Sequence, residues 1–193
     1  MPRTKQFDET VVLEKAVSLF WKQGYHATSI QDLVEELGIN RASLYSTFGG
    51  KKQLFERALQ TYRDQNIAGI RQFLVEQPTV KTGIRRLFER AIADSVTDCE
   101  RKGCFVVNVT TELAPTDTNI QRFVTDNQRI FEGIFYDYLR TGVTTGEIAA
   151  DKDLRSLAGL LFALYTGIKV LAKVEPQKAK LLATVHTALA LLA

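Results

Sequence analysis

Apolar residues along this chain recur at three- and four-residue spacing from near the start to the end, the signature of helices with one buried stripe. After Asp8, a residue suited to cap a helix, Val12, Leu13, Ala16, Val17, Phe20 and Trp21 form such a stripe until Gly24 stops it. Thr28 with Gln31 three residues on reads as a capping box, and Ile30, Leu33, Val34 and Leu37 continue the stripe to Gly38. Asn40 predicts the cap of a very short third helix from Arg41 to Phe48, broken at Gly49-Gly50. A fourth helix, 51–75, carries Leu54, Phe55, Ala58, Leu59 and Tyr62 on its inner side.

Pro78 and Thr79 predict the next boundary, and Ile84, Leu87, Phe88, Ala91 and Ile92 the fifth helix. Arg101-Lys102-Gly103 reads as a turn. The run from Cys104 to Leu113 is rich in β-branched residues, which strand propensity favours, but with no partner strand elsewhere it is assigned as helix. A seventh helix opens at Asp117 or Thr118 and runs through Phe123, Ile130, Phe131, Ile134, Phe135 and Tyr138, with Gly142 to Gly146 read as a loop. The eighth opens at Asp151 or Asp153 and is apolar almost all round from Leu157 to Ile168, so burial on every face is expected. Gly159, Ala163 and Gly167 form a small-residue stripe on it. Pro176 is expected to open the ninth, which carries Leu182 and Leu189. The fold class is all-α: a three-helix N-terminal domain, 1–52, and a helical body, 53–193, with about nine helices in total and the fourth as connector. Two apolar C-terminal helices predict a dimer interface through Gly159, Ala163, Gly167, Leu182 and Leu189.

Composition narrows the function classes. At 193 residues and 45 % apolar content the chain can bury a proper core. Its polar start, Met1 to Lys5, predicts no secretory signal, and the uncharged run from Ser156 to Ile168 falls short of the roughly 20 residues a bilayer requires, so a cytoplasmic protein with no membrane partner is expected. The two cysteines, Cys99 and Cys104, and two isolated histidines, His26 and His186, make neither a disulfide framework nor a metal site, so no metal or cofactor is expected. No nucleophile–base spacing and no glycine-rich phosphate loop argues for an enzyme. The net charge of +3 suits a nucleic-acid partner, but residues 1–52 are nearly balanced in charge, so any DNA contact must come from placement.

Placement is what the segment from Thr28 to Phe48 offers. One short amphipathic helix supports a second across a tight turn at Gly38, the physical requirement of a helix-turn-helix. Leu44 and Phe48, with Ile39, can point inward, leaving Arg41, Ser43, Tyr45, Ser46 and Thr47 outside. A guanidinium and short hydroxyls suit a DNA groove.

The ordered set Gly24-Tyr25, Thr28, Gly38, Leu44-Tyr45, Phe48 and Lys51 before Leu54, without a gap from Phe7 to Tyr62, closely resembles the N-terminal domain of the TetR family of bacterial transcriptional regulators. The resemblance implies an all-helical homodimer that binds a palindromic DNA operator and is released by a small-molecule inducer, here unidentified. It implies phosphate contacts from Thr28 and Lys51, a backbone contact or packing role for Tyr45, base-edge contacts from Arg41, Ala42, Ser46 and Thr47, and a hydroxyl–phosphate contact from Ser43. Many members carry an aromatic residue or histidine where this chain has Ser46 and Thr47, so base preference does not transfer. An activator, or a regulator without a ligand, is the alternative.

In the body, the stretch Gly103 to Asn108 followed by Thr111 to Pro115 resembles the sixth helix of one branch of the family. Candidate inducer contacts are Phe105, Asn108, Phe131 and Tyr165, each also plausible as plain core. Cys104 follows Lys102 and starts a helix, two features that make a thiol reactive and would suit a thiol-reactive inducer. The competing reading is a small buried hydrophobe.

Overall fold

In a computed structural model, which describes residues 7–192, the chain is helical throughout. The polar start read above as lacking a signal, and the first residues of the N-terminal domain, lie outside the described residues. Nine α-helices are present among the described residues: α1 Glu9–Gln23, α2 Ile30–Leu37, α3 Arg41–Phe48, α4 Lys51–Val75, α5 Val80–Thr97, α6 Phe105–Glu112, α7 Thr118–Thr144, α8 Leu154–Val174 and α9 Lys178–Leu189, followed by a 3-10 turn at Ala190–Leu192. Two compact units divide within α4, between Gln65 and Asn66.

Helix starts follow their caps. Asp8, Asn40, Thr79, Asp117 and Asp153 each accept a backbone N–H of the first turn of the helix they precede. The α2 cap sits one residue later than the sequence reading: Ser29 accepts the Asp32 N–H at 3.1 Å while the Asp32 carboxylate accepts the Ser29 N–H at 2.7 Å. Thr28 lies outside the box. The segment from Cys104 folds as helix, as expected, and Arg101 and Gly103 take positive φ angles of 50° and 68° in the turn before it.

In the first unit Phe20, Leu33, Leu44, Leu54, Phe55 and Leu59 are almost wholly buried, and the Phe20 and Phe55 rings meet edge-on at 5.1 Å. In the second, α5, α7, α8 and α9 enclose a core built on Ile84, Phe88, Ile92, Phe135, Leu139 and Ile168.

Three expectations about the body need correction. Gly142 is not in a loop, because α7 continues to Thr144. It is a packing glycine: a Cβ there would meet Ile148 at 2.9 Å and Val80 at 3.2 Å. Helix α9 begins at Lys178 rather than at Pro176. Helix α8 is not buried on every face within the chain. Ala158, Leu161, Tyr165, Ile168 and Ala172 are buried, yet Leu160, Val170, Leu171 and Val174 stay exposed. By length and composition α8 is apolar enough to cross a membrane, longer than the uncharged run alone suggested, and 22 % of its most apolar stretch is buried.

A distant carboxylate completes α5. Glu147 follows the end of α7 and accepts the N–H of Val80 at 2.7 Å and of Lys81 at 2.8 Å, while Thr79 accepts that of Thr82 at 3.2 Å. The first three donors of α5 are thereby all satisfied.

Candidate nucleic-acid interface

Helix α3 is held by few side chains. Leu44 and Phe48, one turn apart, are its two buried residues, and Ile39 from the preceding turn is buried beside them. Asn40 fixes its start by accepting the Ser43 N–H at 2.8 Å, and Gly49, at φ 84°, ends it in the left-handed conformation that glycine adopts without steric cost. This leaves Arg41, Ala42, Tyr45 and Ser46 exposed and Ser43 and Thr47 half-buried. The Ser46 hydroxyl donates to the Ser43 carbonyl at 3.2 Å, a bond it can exchange for an outside acceptor.

Tyr45 is half exposed, and its ring lies against Gly50, where a Cβ would come within 3.2 Å of the ring. Gly50 also has φ 129°, so backbone conformation and the tyrosine both demand glycine there. Lys51, the first residue of α4, holds its ammonium 4.3 Å from the centre of the Tyr25 ring. Its charge also reaches Asp32, whose carboxyl is held below its ordinary value of 3.8 chiefly by hydrogen bonds from Ser29 and further by Lys51.

Thr28 is turned inward. It is wholly buried, and its hydroxyl donates to the Gly24 carbonyl at 2.6 Å, tying the end of α1 to the start of α2. Ser29, which sequence reading passed over, is the exposed hydroxyl at this helix start. Its oxygen accepts the Asp32 N–H and its own proton remains available to donate. The Ser-x-x-Asp spacing carried the signal.

In the second unit the inducer candidates divide. Phe131 and Tyr165 come together with ring centres 6.2 Å apart, and Phe162 and Phe88 extend the cluster at 6.0 and 5.9 Å. Burial pushes the Tyr165 phenol above its ordinary value. Phe105 is buried at the start of α6. Asn108 is engaged at both ends: its amide donates to the Lys102 carbonyl at 2.8 Å and its oxygen accepts from Lys173 at 3.0 Å. Cys104 is 7 % exposed, within electrostatic reach of Tyr165 and Lys169, whereas Cys99 is exposed. Lys169, also unforeseen, donates to the Ala91 carbonyl at 3.2 Å and the Ser95 hydroxyl at 3.1 Å, and burial lowers its ammonium below the usual lysine value.

Of the expected interface residues, Ala163 is exposed, and a Cβ on Gly159 or Gly167 would meet nothing within 4 Å. Leu160, Ala163, Gly167, Val170 and Val174 recur at alternating three- and four-residue steps along one side of α8, the spacing of a helix-pairing seam. Leu182 and Leu189 are half-buried on α9, packed against the core.

Residues 12–58 match the family described as "Bacterial regulatory proteins, tetR family", and residues 81–188 match "Tetracyclin repressor-like, C-terminal domain". The chain is 34 % identical over 194 residues to the uncharacterized HTH-type transcriptional regulator YezE of Bacillus subtilis, covering 100 % of both chains. It is 32 % identical to the HTH-type transcriptional repressor ComR of Escherichia coli, over 98 % of this chain and 90 % of that protein. Among solved structures it resembles a cysteine-substituted form of the regulator CifR bound to 26-base-pair operator DNA, with a TM-score of 0.88 and 29 % identity over 99 % of this chain and 100 % of that one.

Proposed function

The chain belongs to the tetR family of bacterial regulatory proteins, and from that premise we propose that it is a ligand-responsive repressor that binds a palindromic operator as a homodimer. The observation that carries the reading is the outer face of α3: a helix anchored by Leu44 and Phe48 alone presents Arg41, Ala42, Ser46 and Thr47 to a major groove, in the manner of a recognition helix. Arg41 at its first turn suits a guanine edge, and Ala42 and the Thr47 methyl suit thymine. Ser43, Tyr45 and Lys51 fall to the flanking phosphates. At the start of α2 the phosphate contact falls to Ser29 and the neighbouring backbone, with Thr28 holding that turn in place.

The exposed seam on α8 serves as the homodimer interface, since pairing covers apolar surface that the single chain leaves open, while Leu182 and Leu189 of α9 pack against the core of their own chain. Inducer binding is assigned to the second unit around Phe131 and Tyr165. A ligand that prefers a dimer geometry unable to span two half-sites weakens operator binding by the ratio of its affinities for the two states. Cys104 is assigned to packing, on its burial. No catalytic role is assigned: His26 and His186 are both exposed and lie in different units. The DNA partner puts the protein in the bacterial cytoplasm.

Selection of bound sequences from random duplex DNA at fixed salt tests the reading. A palindrome with two half-sites is the expected product, and binding no tighter than to non-specific DNA refutes it. Arg41→Ala should cost about 1–3 kcal/mol and relax preference at one position, whereas Lys51→Ala should weaken all sequences alike and flatten the salt dependence.

A further inference from the structure

The end of α4, the outer face of α5 and the start of α9 border an open surface groove of about 510 Å³, within the size range of small-molecule sites. Its floor is apolar, formed by Phe73 and Leu182, and its rim is basic, with Arg86, Arg90 and Lys178 against the single acid Glu89. The cations are not equivalent. Arg90 is paired with Asp94 at 3.8 Å and lies 5.4 Å from the Phe73 ring centre. Arg86 donates to the neutral Gln77 oxygen at 3.1 Å, which leaves donors of its planar fork available. Neither Arg86 nor Lys178 has a carboxylate within salt-bridge distance among the described residues. Lys178 is also the first residue of α9, a helix start without a side-chain cap and therefore a source of partial positive charge. With Glu89 subtracted, the open charges leave a net of one positive.

We propose that this groove binds an amphipathic monocarboxylate, its head paired with Arg86 and Lys178 and its apolar body laid on Phe73 and Leu182. A guanidinium matches a carboxylate with two parallel hydrogen bonds, and the net charge of the rim suits a monoanion better than a dianion facing Glu89. None of its lining residues belongs to the Phe131–Tyr165 cluster, and the proposal stands apart from the DNA-binding reading.

Calorimetric titration of the full-length protein with octanoate, octanol and octyl phosphate tests it. Octanoate should bind at one site per chain, at least tenfold more tightly than octanol and more tightly than octyl phosphate. Arg86→Gln and Lys178→Gln should each lower octanoate affinity by tenfold or more while leaving operator binding and thermal stability unchanged. Ala93→Trp, which fills the groove from α5, should abolish the site. Equal affinity for octanol, tighter binding of octyl phosphate, or octanoate binding that survives both Arg86→Gln and Ala93→Trp would overturn the proposal.

Discussion

Replacing Glu147 by Gln removes one atom's chemistry from the body while keeping its shape. In the native chain the two carboxylate oxygens accept the N–H groups of Val80 and Lys81, at 2.7 and 2.8 Å. An amide offers one oxygen, and its NH2 must face the other donor, so one N–H at the start of α5 loses its partner in a half-buried site. A hydrogen bond to a charged group is worth about 1.5–3 kcal/mol, and a carboxylate at a helix N-terminus adds about 0.3–1 kcal/mol. With partial solvent access setting the lower end of those ranges, Glu147→Gln should destabilise the protein by about 2 kcal/mol, a roughly thirtyfold change in the unfolding constant. The assay is urea unfolding followed by circular dichroism at fixed protein concentration, since the dimer equilibrium enters the measured midpoint. Amide exchange at 80 and 81 should accelerate in the variant, because those are the donors that Glu147 holds. As a control, Glu36→Gln on exposed α2 should stay within about 0.5 kcal/mol of the parent. A midpoint for Glu147→Gln indistinguishable from the parent, with unchanged exchange at α5, refutes the capping argument.

Gly50→Ala places a Cβ against the Tyr45 ring at a φ of 129°, and should cost about 1–3 kcal/mol in stability and reduce operator affinity at least tenfold, measured by melting and by fluorescence anisotropy. Leu171→Glu puts a charge beside the α8 seam and should weaken dimerisation by about 3 kcal/mol, read as monomer in sedimentation with helix content retained. Asp32 titrates below its ordinary 3.8 when folded, so its cap contributes above that value and is lost as pH falls through the depressed one; the stability gap between the parent and Asp32→Asn should therefore be present at neutral pH and close in acid. Iodoacetamide should label Cys99 in the native protein and leave Cys104 unmodified, as peptide mass spectrometry can follow.

Much of the helical order was legible because local chemistry marks it: Asp8, Asn40 and Thr79 stand immediately before the helices they cap. The α2 boundary slipped by one residue because Thr28 with Gln31 and Ser29 with Asp32 fit the same template, and only tertiary packing turns Thr28 inward. Gly142 was misread because a glycine that admits a close neighbour looks, in sequence, like a glycine that makes a turn. The Glu147 cap was illegible for a different reason: 66 residues separate it from Lys81, and no local pattern carries that distance. The exposed seam on α8 was legible only in part: Ala163 and Gly167 belong to the small-residue stripe read from sequence, but Leu160, Val170 and Val174 did not stand out, since residues that fill a core and residues left exposed are the same apolar types. For the candidate interface, the spacing of Leu44 and Phe48 was enough to predict which side of α3 faces out.

That economy in α3 bears on how such a protein can change. Two buried anchors hold the helix, so Arg41, Ala42 and Ser46 can be exchanged with little penalty to folding. With these residues reading the operator as proposed, mutations that rewrite its preference meet almost no stability filter, while those at Leu44 or Phe48 are purged first. A lineage can drift to new target genes one surface substitution at a time, each intermediate a well-folded protein.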